Sequence, residues 1–383
     1  MEAKFSLSGA ASAVKLSASR HRVAVFLWTV LSLLEARALD RFDADFAAKL
    51  GTGANRSISA VIVDNQSRIV VAGSFTEFNG IPAPGLVRLN PDGTLDPSFV
   101  PNLVPDRQGI PRILAIHRDG YVVATSHALE AGGGRGPAIW RLNGDGSVDA
   151  TFADNRLRFQ GGTLVAVAAD SQGRILAAGS FSLDGTIPKL PLVRLLQTGQ
   201  LDAGFLTPSM RSASALTVLA DGRIVVGAGD TEDGVHRLWP DGEREWPLPR
   251  VNAREEAPHQ ILPLPDGRLL VSNVYRDGTR SDFGLVRLGP NLEPDYTLDT
   301  RDWLSGWNRI GDVVAASDGT IYALHTTIYP IFGELVRLRP DGGIDPRFPR
   351  LSLRMSDWAY NQALLVMDSA AYLLVSQPTS GSG

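Results

Sequence analysis

The sequence predicts an all-β fold, a seven-bladed β-propeller, on three observations. A unit of roughly 50 residues recurs along the chain, a period typical of arrays of one supersecondary unit. Each unit holds two hairpin patterns, hence four short strands, which is one propeller blade. The two ends of the chain carry partial units that together approximate a seventh.

The clearest half of the unit is LVRLNPDGTLDPSF, from Leu86 to Phe99. It returns as IWRLNGDGSVDATF (Ile139 to Phe152), LVRLLQTGQLDAGF (Leu192 to Phe205), VHRLWPDGEREWPL (Val235 to Leu248), LVRLGPNLEPDYTL (Leu285 to Leu298) and LVRLRPDGGIDPRF (Leu335 to Phe348). Its arginines, Arg88, Arg141, Arg194, Arg237, Arg287 and Arg337, stand 53, 53, 43, 50 and 50 residues apart. In Asn90-Pro91-Asp92-Gly93, proline presets a type I turn and glycine supplies the left-handed residue that follows. That geometry pairs Asn90 with Thr94, Leu89 with Leu95 and Arg88 with Asp96. The same offset pairs Arg141 with Asp149, Arg194 with Asp202, Arg237 with Glu245, Arg287 with Asp295 and Arg337 with Asp345. Opposite charges directly across a hairpin stabilise it. Because blades pack on both faces, these pairs are expected partly between blades and in a structural role.

The other half of the unit is an apolar run, a turn and a second apolar run. ILAIHRDGYVVAT (Ile113 to Thr125), LTVLADGRIVVGAG (Leu216 to Gly229), ILPLPDGRLLVSN (Ile261 to Asn273) and VVAASDGTIYALH (Val313 to His325) turn at Asp-Gly, a strong hairpin signal. IVDNQSRIVVAGSF (Ile62 to Phe75) and VAADSQGRILAAGSF (Val167 to Phe181) turn at residues that favour Asx or left-handed geometry. The repeats therefore span about 58–99, 113–152, 164–205, 215–248, 259–298 and 310–348. A seventh begins at Gln362 and stops after one hairpin, near 377. Residues 39–46 contain Phe42-Asp43-Ala44-Asp45-Phe46, which matches Leu95 to Phe99 and is expected to close the ring, removing its exposed edges. The alternative is six blades with frayed ends.

Around this body, 39–377, the ends read differently. Residues 1–38 form a basic leader, a mostly apolar run from Val23 to Leu34, and Ala36-Arg37-Ala38, so a signal peptide cleaved after Ala38 is expected. Residues 378–383 (PTSGSG) read as a flexible tail. The expected location is secreted, cell surface or periplasm, with no membrane span after cleavage.

Composition narrows the chemistry. There are no cysteines, which excludes disulfides, thiolate metal sites and cysteine nucleophiles. The formal charge is −4 with no basic stripe, which argues against nucleic acid as a partner. His117, His127, His236, His259 and His325 occur singly, without metal-ligand spacing, and no GxSxG nucleophile motif is present. Asn143 to Asp149 loosely resembles a calcium loop but lacks the distal bidentate carboxylate, and reads as a hairpin turn. No catalytic residue, metal or cofactor is assigned. The local irregularities are aromatic: Trp303 and Trp307 precede the sixth copy, Trp358 and Tyr360 the seventh, at one phase of successive repeats. These four are the candidate ligand contacts, suited to stacking on sugar rings or anchoring a protein.

At these motifs the chain resembles the bacterial delta-60 repeat family of secreted propeller-like proteins. The resemblance rests on the Arg-Leu halves together with Gly73-Ser74-Phe75 and Gly179-Ser180-Phe181, and covers about Leu39 to Gln377. Departures are Glu245 for aspartate, Leu298 for phenylalanine and loss of Gly-Ser-Phe in later copies. It implies a repeat scaffold and leaves its biochemical role open. The expected protein is therefore a monomeric, non-catalytic binding or display module for polysaccharide or a cell-surface protein. The competing expectation is a hydrolase or lyase with a site assembled across blades, and a third is a purely architectural module.

Overall fold

The computed structural model describes residues 13–18, 21–26, 49, 51–103, 110–129, 135–152, 159–183, 189–228, 234–246, 258–275, 283–300, 309–316, 319–327, 332–348, 351–354, 362–367 and 370–375. Among them every regular element of two or more residues is a strand. In chain order these are β1 (Ala13–Ala18) and β2 (His21–Phe26), then β3 (Ile58–Val63), β4 (Ile69–Gly73), β5 (Glu77–Phe78), β6 (Ile81–Pro82) and β7 (Leu86–Leu89) in the first repeat. The second repeat holds β8 (Ile110–His117), β9 (Gly120–Leu129) and β10 (Arg135–Leu142). The third holds β11 (Phe159–Ala169), β12 (Ile175–Leu183) and β13 (Leu190–Leu195). The fourth holds β14 (Ala215–Val218), β15 (Ile224–Gly227) and β16 (Val235–Leu238). The fifth holds β17 (Ile261–Pro263), β18 (Leu269–Tyr275), β19 (Phe283–Leu288) and β20 (Pro294–Asp295). The sixth holds β21 (Arg309–Ala315), β22 (Ile321–Thr327), β23 (Phe332–Leu338) and β24 (Leu351–Arg354), and the last hairpin is β25 (Gln362–Met367) and β26 (Ala370–Val375).

Each repeat forms a sheet whose strands follow in sequence order, except that in the first repeat β5 and β6 pair separately between β4 and β7. Where the third strand turns back it makes a single bridge, Leu89 to Leu95, Leu142 to Val148, Leu195 to Leu201, Leu238 to Arg244 and Leu338 to Ile344, and in the sixth repeat β23 pairs with β24 as well. In the first repeat the turn has the register its residues dictate. The Asn90 amide donates to Thr94 O at 2.8 Å, the Asp96 amide donates to Arg88 O at 2.9 Å, and Gly93 sits at φ 91°. Glycine holds the matching left-handed position at Gly146, Gly199, Gly242 and Gly342. In the fifth repeat Leu292 takes that conformation, at φ 63°.

Middle strands are buried on both faces, as the runs β4, β7, β15 and β16 show. That is the burial expected of sheets stacked face to face, and their near-continuous apolar sequence follows from it. The chain packs as two compact units. In the unit built on Pro101–Ile310, the facing sides of successive sheets share cores. Val122 and Ile139 pack with Ile175, Ala177 and Phe181; Leu176 and Leu192 pack with Ile224, Val226 and Leu238; Val225 and Val235 pack with Leu269, Val271 and Val286. In the other unit, Ile69, Val71, Val87 and Leu89 enclose Phe75 and Phe78, whose rings meet edge to face at 6.1 Å.

Gly-Ser-Phe has a steric cause. A Cβ on Gly73 would lie 2.1 Å from Ser57 O, and one on Gly179 would lie 2.0 Å from Thr163 O. Only glycine permits that approach of two backbones, and the phenylalanines that follow, Phe75 and Phe181, are fully buried.

The last sheet has the order β1-β2-β26-β25, with β2 parallel to β26 in the register Val23 to Ala371, Ala24 to Tyr372 and Val25 to Leu373. The expected closing segment, Phe42 to Phe46, lies outside the described residues. The strand beside β26 is β2, from the segment read as a leader, whose β-branched run from Val23 is also strand-forming.

Candidate functional site

The charged residues of the repeat converge on its second hairpin. Arg88 Nε donates to Asp96 Oδ2 at 2.7 Å, and the corresponding distances are 2.7 Å for Arg141–Asp149, 2.8 Å for Arg194–Asp202, 2.7 Å for Arg287–Asp295 and 3.1 Å for Arg337–Asp345. Arg237 grips Glu245 with two nitrogens, at 2.6 and 2.7 Å. The arginine side chains are 2–11% exposed, so these are largely desolvated pairs. A hydroxyl two residues past the carboxylate completes the set: Ser98, Thr151 and Thr297 each donate to its second oxygen at 2.6–2.7 Å. The guanidinium also lies over a ring, with Arg88 4.7 Å from the Phe99 centroid, Arg141 5.0 Å from Phe152, Arg194 4.6 Å from Phe205 and Arg337 5.3 Å from Phe348.

The arginines also join neighbouring sheets. Arg141 Nη1 donates to Gln197 O at 2.5 Å, Arg194 Nη1 donates to Pro240 O and Arg237 Nη1 donates to Pro290 O. Each acceptor is the turn residue of the next repeat, three past that repeat's own arginine. A guanidinium can do this because its five donors point in a fixed fork.

Sequence reading missed these last two partners, although the phenylalanine recurs eleven residues after the arginine in four copies. It also missed a second arginine clip, in the first hairpin. Arg68 donates to Asp64 and Arg174 to Asp170 at 2.7 Å where the turn is long; Arg223 donates to Asp221 and Arg268 to Asp266 at 2.7 and 2.8 Å where it is Asp-Gly. Arg268 reaches Asp295 as well, at 2.9 Å, so that carboxylate lies between two guanidinium groups.

These surroundings fix the carboxylates as anions. Burial pushes Asp96, Asp149, Asp202 and Asp295 upward, but hydrogen bonds from the residue two positions on and from the arginine outweigh it and hold all four below the ordinary carboxylate range. The Arg347 side chain is the largest influence on Asp345, which with Arg337 is lowered to about 2. A carboxylate so held is a poor proton donor or acceptor near neutrality.

The second and third repeats frame a shallow cleft of about 220 Å³ whose walls include Arg118, Asp119, Asn143, Asp149 and Gln197. Here the first hairpin turns through only Arg118 and Asp119, and Gly144 stands where four other copies have proline. Two of its groups already face protein: His117 Nε2 is 3.0 Å from Gly173 O, and Arg118 Nη2 donates to Gln172 O at 2.9 Å. Among the described residues no three His, Asp or Glu side chains are grouped to hold a metal ion. Of the expected ligand contacts, Trp303, Trp307, Trp358 and Tyr360 all lie outside the described residues, in the connections before β21 and before β25.

A family model described as a domain of unknown function (DUF5122) beta-propeller matches residues 67–99, 117–152 and 171–205, each stretch ending on the phenylalanine under the arginine. The crystal structure of the WD40 beta propeller domain of Doa1 superposes with a TM-score of 0.52 at 10% identity, covering 86% of this chain and 95% of that one. The fold is a β-propeller. Its repeats are blades, and Arg141, Arg194 and Arg237 each link one blade to the next. Lower likenesses include a streptogramin B lyase, with a TM-score of 0.39, 13% identity and coverage of 72% and 95%. The extracellular domain of the hybrid two component system BT3049 from B. thetaiotaomicron gives 0.48, 11% identity and coverage of 86% and 41%. Among curated proteins none matches the sequence. No helix among the described residues is long and apolar enough to cross a membrane.

Proposed function

We propose that the chain is an exported propeller that binds or displays and has no catalytic centre of its own, with carbohydrate or a surface protein as its ligand. The observation that supports this is the use made of its ionisable groups. The recurrent arginines and carboxylates hold one another, a hydroxyl and a neighbouring turn, which keeps the carboxylates charged and occupied. Propellers carry their ligands on loops between strands, and the aromatic residues singled out by sequence, Trp303, Trp307, Trp358 and Tyr360, fall between one repeat and the next in the sequence.

In this reading seven blades close with residues 39–46 after the leader is removed at Ala38. Cleavage would take β1 and β2 with it and free the edge of β26 for that segment. The test of export is N-terminal sequencing of the protein recovered outside the cytoplasm; a chain still beginning at Met1 rejects cleavage. The test of binding is retention of residues 39–383 on immobilised polysaccharides and on surface-protein extract. Retention that is lost in the pair Trp303→Ala and Trp358→Ala supports the loop site, and absence of retention on both materials rejects the reading.

A further inference from the structure

The arginine clip of the first hairpin stands at a fixed place in the sheet. Ile69 pairs with Leu89, Ile175 with Leu195, Ile224 with Leu238 and Leu269 with Leu288, and the residues just before these are Arg68, Arg174, Arg223 and Arg268. In the second blade Tyr121 pairs with Leu142 in the same way, and the residue before it is Gly120. Gly120 lines the cleft between the second and third blades. We infer that this cleft is a binding site for a guanidinium group, the group that four other blades supply from their own first hairpin. The inference goes beyond the binding-module reading and does not depend on its aromatic residues.

Asp149 and Asp295 make the comparison direct. In both, Oδ2 accepts from the repeat arginine Nε at 2.7 Å. In both, Oδ1 accepts from the hydroxyl and amide of a threonine two residues on, Thr151 or Thr297. Asp295 Oδ2 accepts in addition from Arg268 Nη1 at 2.9 Å. In the fourth blade Arg223 Nη1 stands 3.6 Å from Glu245 Oε2. The second blade cannot do the same from position 120, because a Cβ there would lie 2.1 Å from Leu142 O, which is backbone. The cation beside it, Arg118, is turned to the third blade, where Nη2 donates to Gln172 O.

The walls of the cleft select the ligand. They carry two carboxylates, Asp119 and Asp149. Asp119 is exposed, and among the described residues its carboxylate has no bonded partner. Arg141 also lines the cleft, but its nitrogens are committed to Asp149, Thr151 and Gln197 O. A second guanidinium beside it has a precedent in the fifth blade, where Arg268 and Arg287 share Asp295 Oδ2. The volume, about 220 Å³, is below the roughly 300–1,000 Å³ of sites that enclose a drug-sized ligand, so it suits one head group. A planar fork of donors matches carboxylate oxygens better than an ammonium on a single stem does. The group is carried by a free guanidinium compound or by an arginine side chain of a polypeptide.

The experiment titrates the full-length protein with acetyl-Gly-Arg-Gly-amide, acetyl-Gly-Lys-Gly-amide and argininamide, following backbone amide signals by NMR. The expected result is a saturable shift at Gly120 and Gly144 with the arginine peptide, and an affinity roughly threefold or more weaker for the lysine peptide. Asp119→Asn is expected to weaken the arginine peptide by roughly threefold or more. Glu243→Gln, which removes an exposed charge of the fourth blade, is expected to leave it unchanged. Asp149→Asn also releases Arg141, so Asp119→Asn, on an exposed turn and with unchanged melting, is the deciding variant. Argininamide that binds as tightly as the peptide supports the site with a free compound as its ligand. Argininamide that binds more weakly supports it with an arginine side chain. No saturable shift at the two glycines, equal affinity for the lysine peptide, or unchanged binding in Asp119→Asn overturns the site.

Discussion

Arg194 belongs to the third blade and donates to the fourth: its Nη1 bonds the main-chain carbonyl of Pro240, while its Nε holds Asp202 at 2.8 Å within its own hairpin. One side chain thus fixes the register of its hairpin and the placement of the next blade's turn. With Arg194 only 5% exposed, removing it leaves the half-buried Asp202 carboxylate without its cation. Arg194→Ala is expected to cost about 3–5 kcal/mol in urea unfolding. Arg194→Lys is expected to recover only part of this, since an ammonium on a single stem cannot hold Asp202 and Pro240 in the same planar fork. A lysine variant as stable as wild type would show that charge alone matters.

Acid is expected to loosen the same network. Asp96, Asp149, Asp202, Asp295 and Asp345 all have folded pKa values below the ordinary range, with Asp345 at about 2. A depressed carboxylate adds stability above its unfolded pKa of about 3.9 and loses it as pH falls through the folded value. The urea midpoint is therefore expected to be flat from pH 8 to 5 and to drop steeply between about pH 4 and 2. Asp345→Asn lowers the plateau and shallows the acid limb. A midpoint that falls mainly above pH 5 would point to histidines instead.

Gly179 is expected to tolerate no side chain. The obstacle to a Cβ there is the Thr163 carbonyl at 2.0 Å, which is backbone and cannot rotate away. Gly179→Ala must part β11 from β12 where the amide of Ala213 also bonds Gly179 O, at 2.8 Å. The cost expected is about 1–3 kcal/mol by thermal or urea unfolding. Gly204→Ala is the control, because its Cβ would meet nothing closer than Asp202 Oδ1 at 3.4 Å, and a change within about 0.5 kcal/mol is expected.

The hairpins were legible because turn chemistry is local. Asn90-Pro91-Asp92-Gly93 sets its own register, and the offset from Arg88 to Asp96 follows from it. What lay between blades was not legible. The bond from Arg194 to Pro240 joins residues 46 apart, and nothing in a single repeat marks the carbonyl as an acceptor. The arginine clips of the first hairpin were hidden for another reason. Asp170 stands four residues before its arginine and Asp221 two, so the same ion pair leaves no fixed spacing.

Leu292 sets two effects against each other. It occupies the left-handed turn position that glycine fills in the other five copies, at φ 63°, which costs an L-residue roughly 1–2 kcal/mol. Its side chain is 1% exposed and packs with Val235, Ile261, Leu269 and Leu288. Truncating a buried leucine costs about 2–5 kcal/mol. Burial exceeds strain, so Leu292→Gly is expected to destabilise by a net amount of about 1–3 kcal/mol even though it restores the residue the turn prefers. Leu292→Ala keeps the strain and loses most of the packing, and is expected to be the less stable of the two variants. The order of their urea midpoints measures the strain directly. An alanine variant more stable than the glycine variant would mean that this turn relaxes its backbone when the side chain is gone.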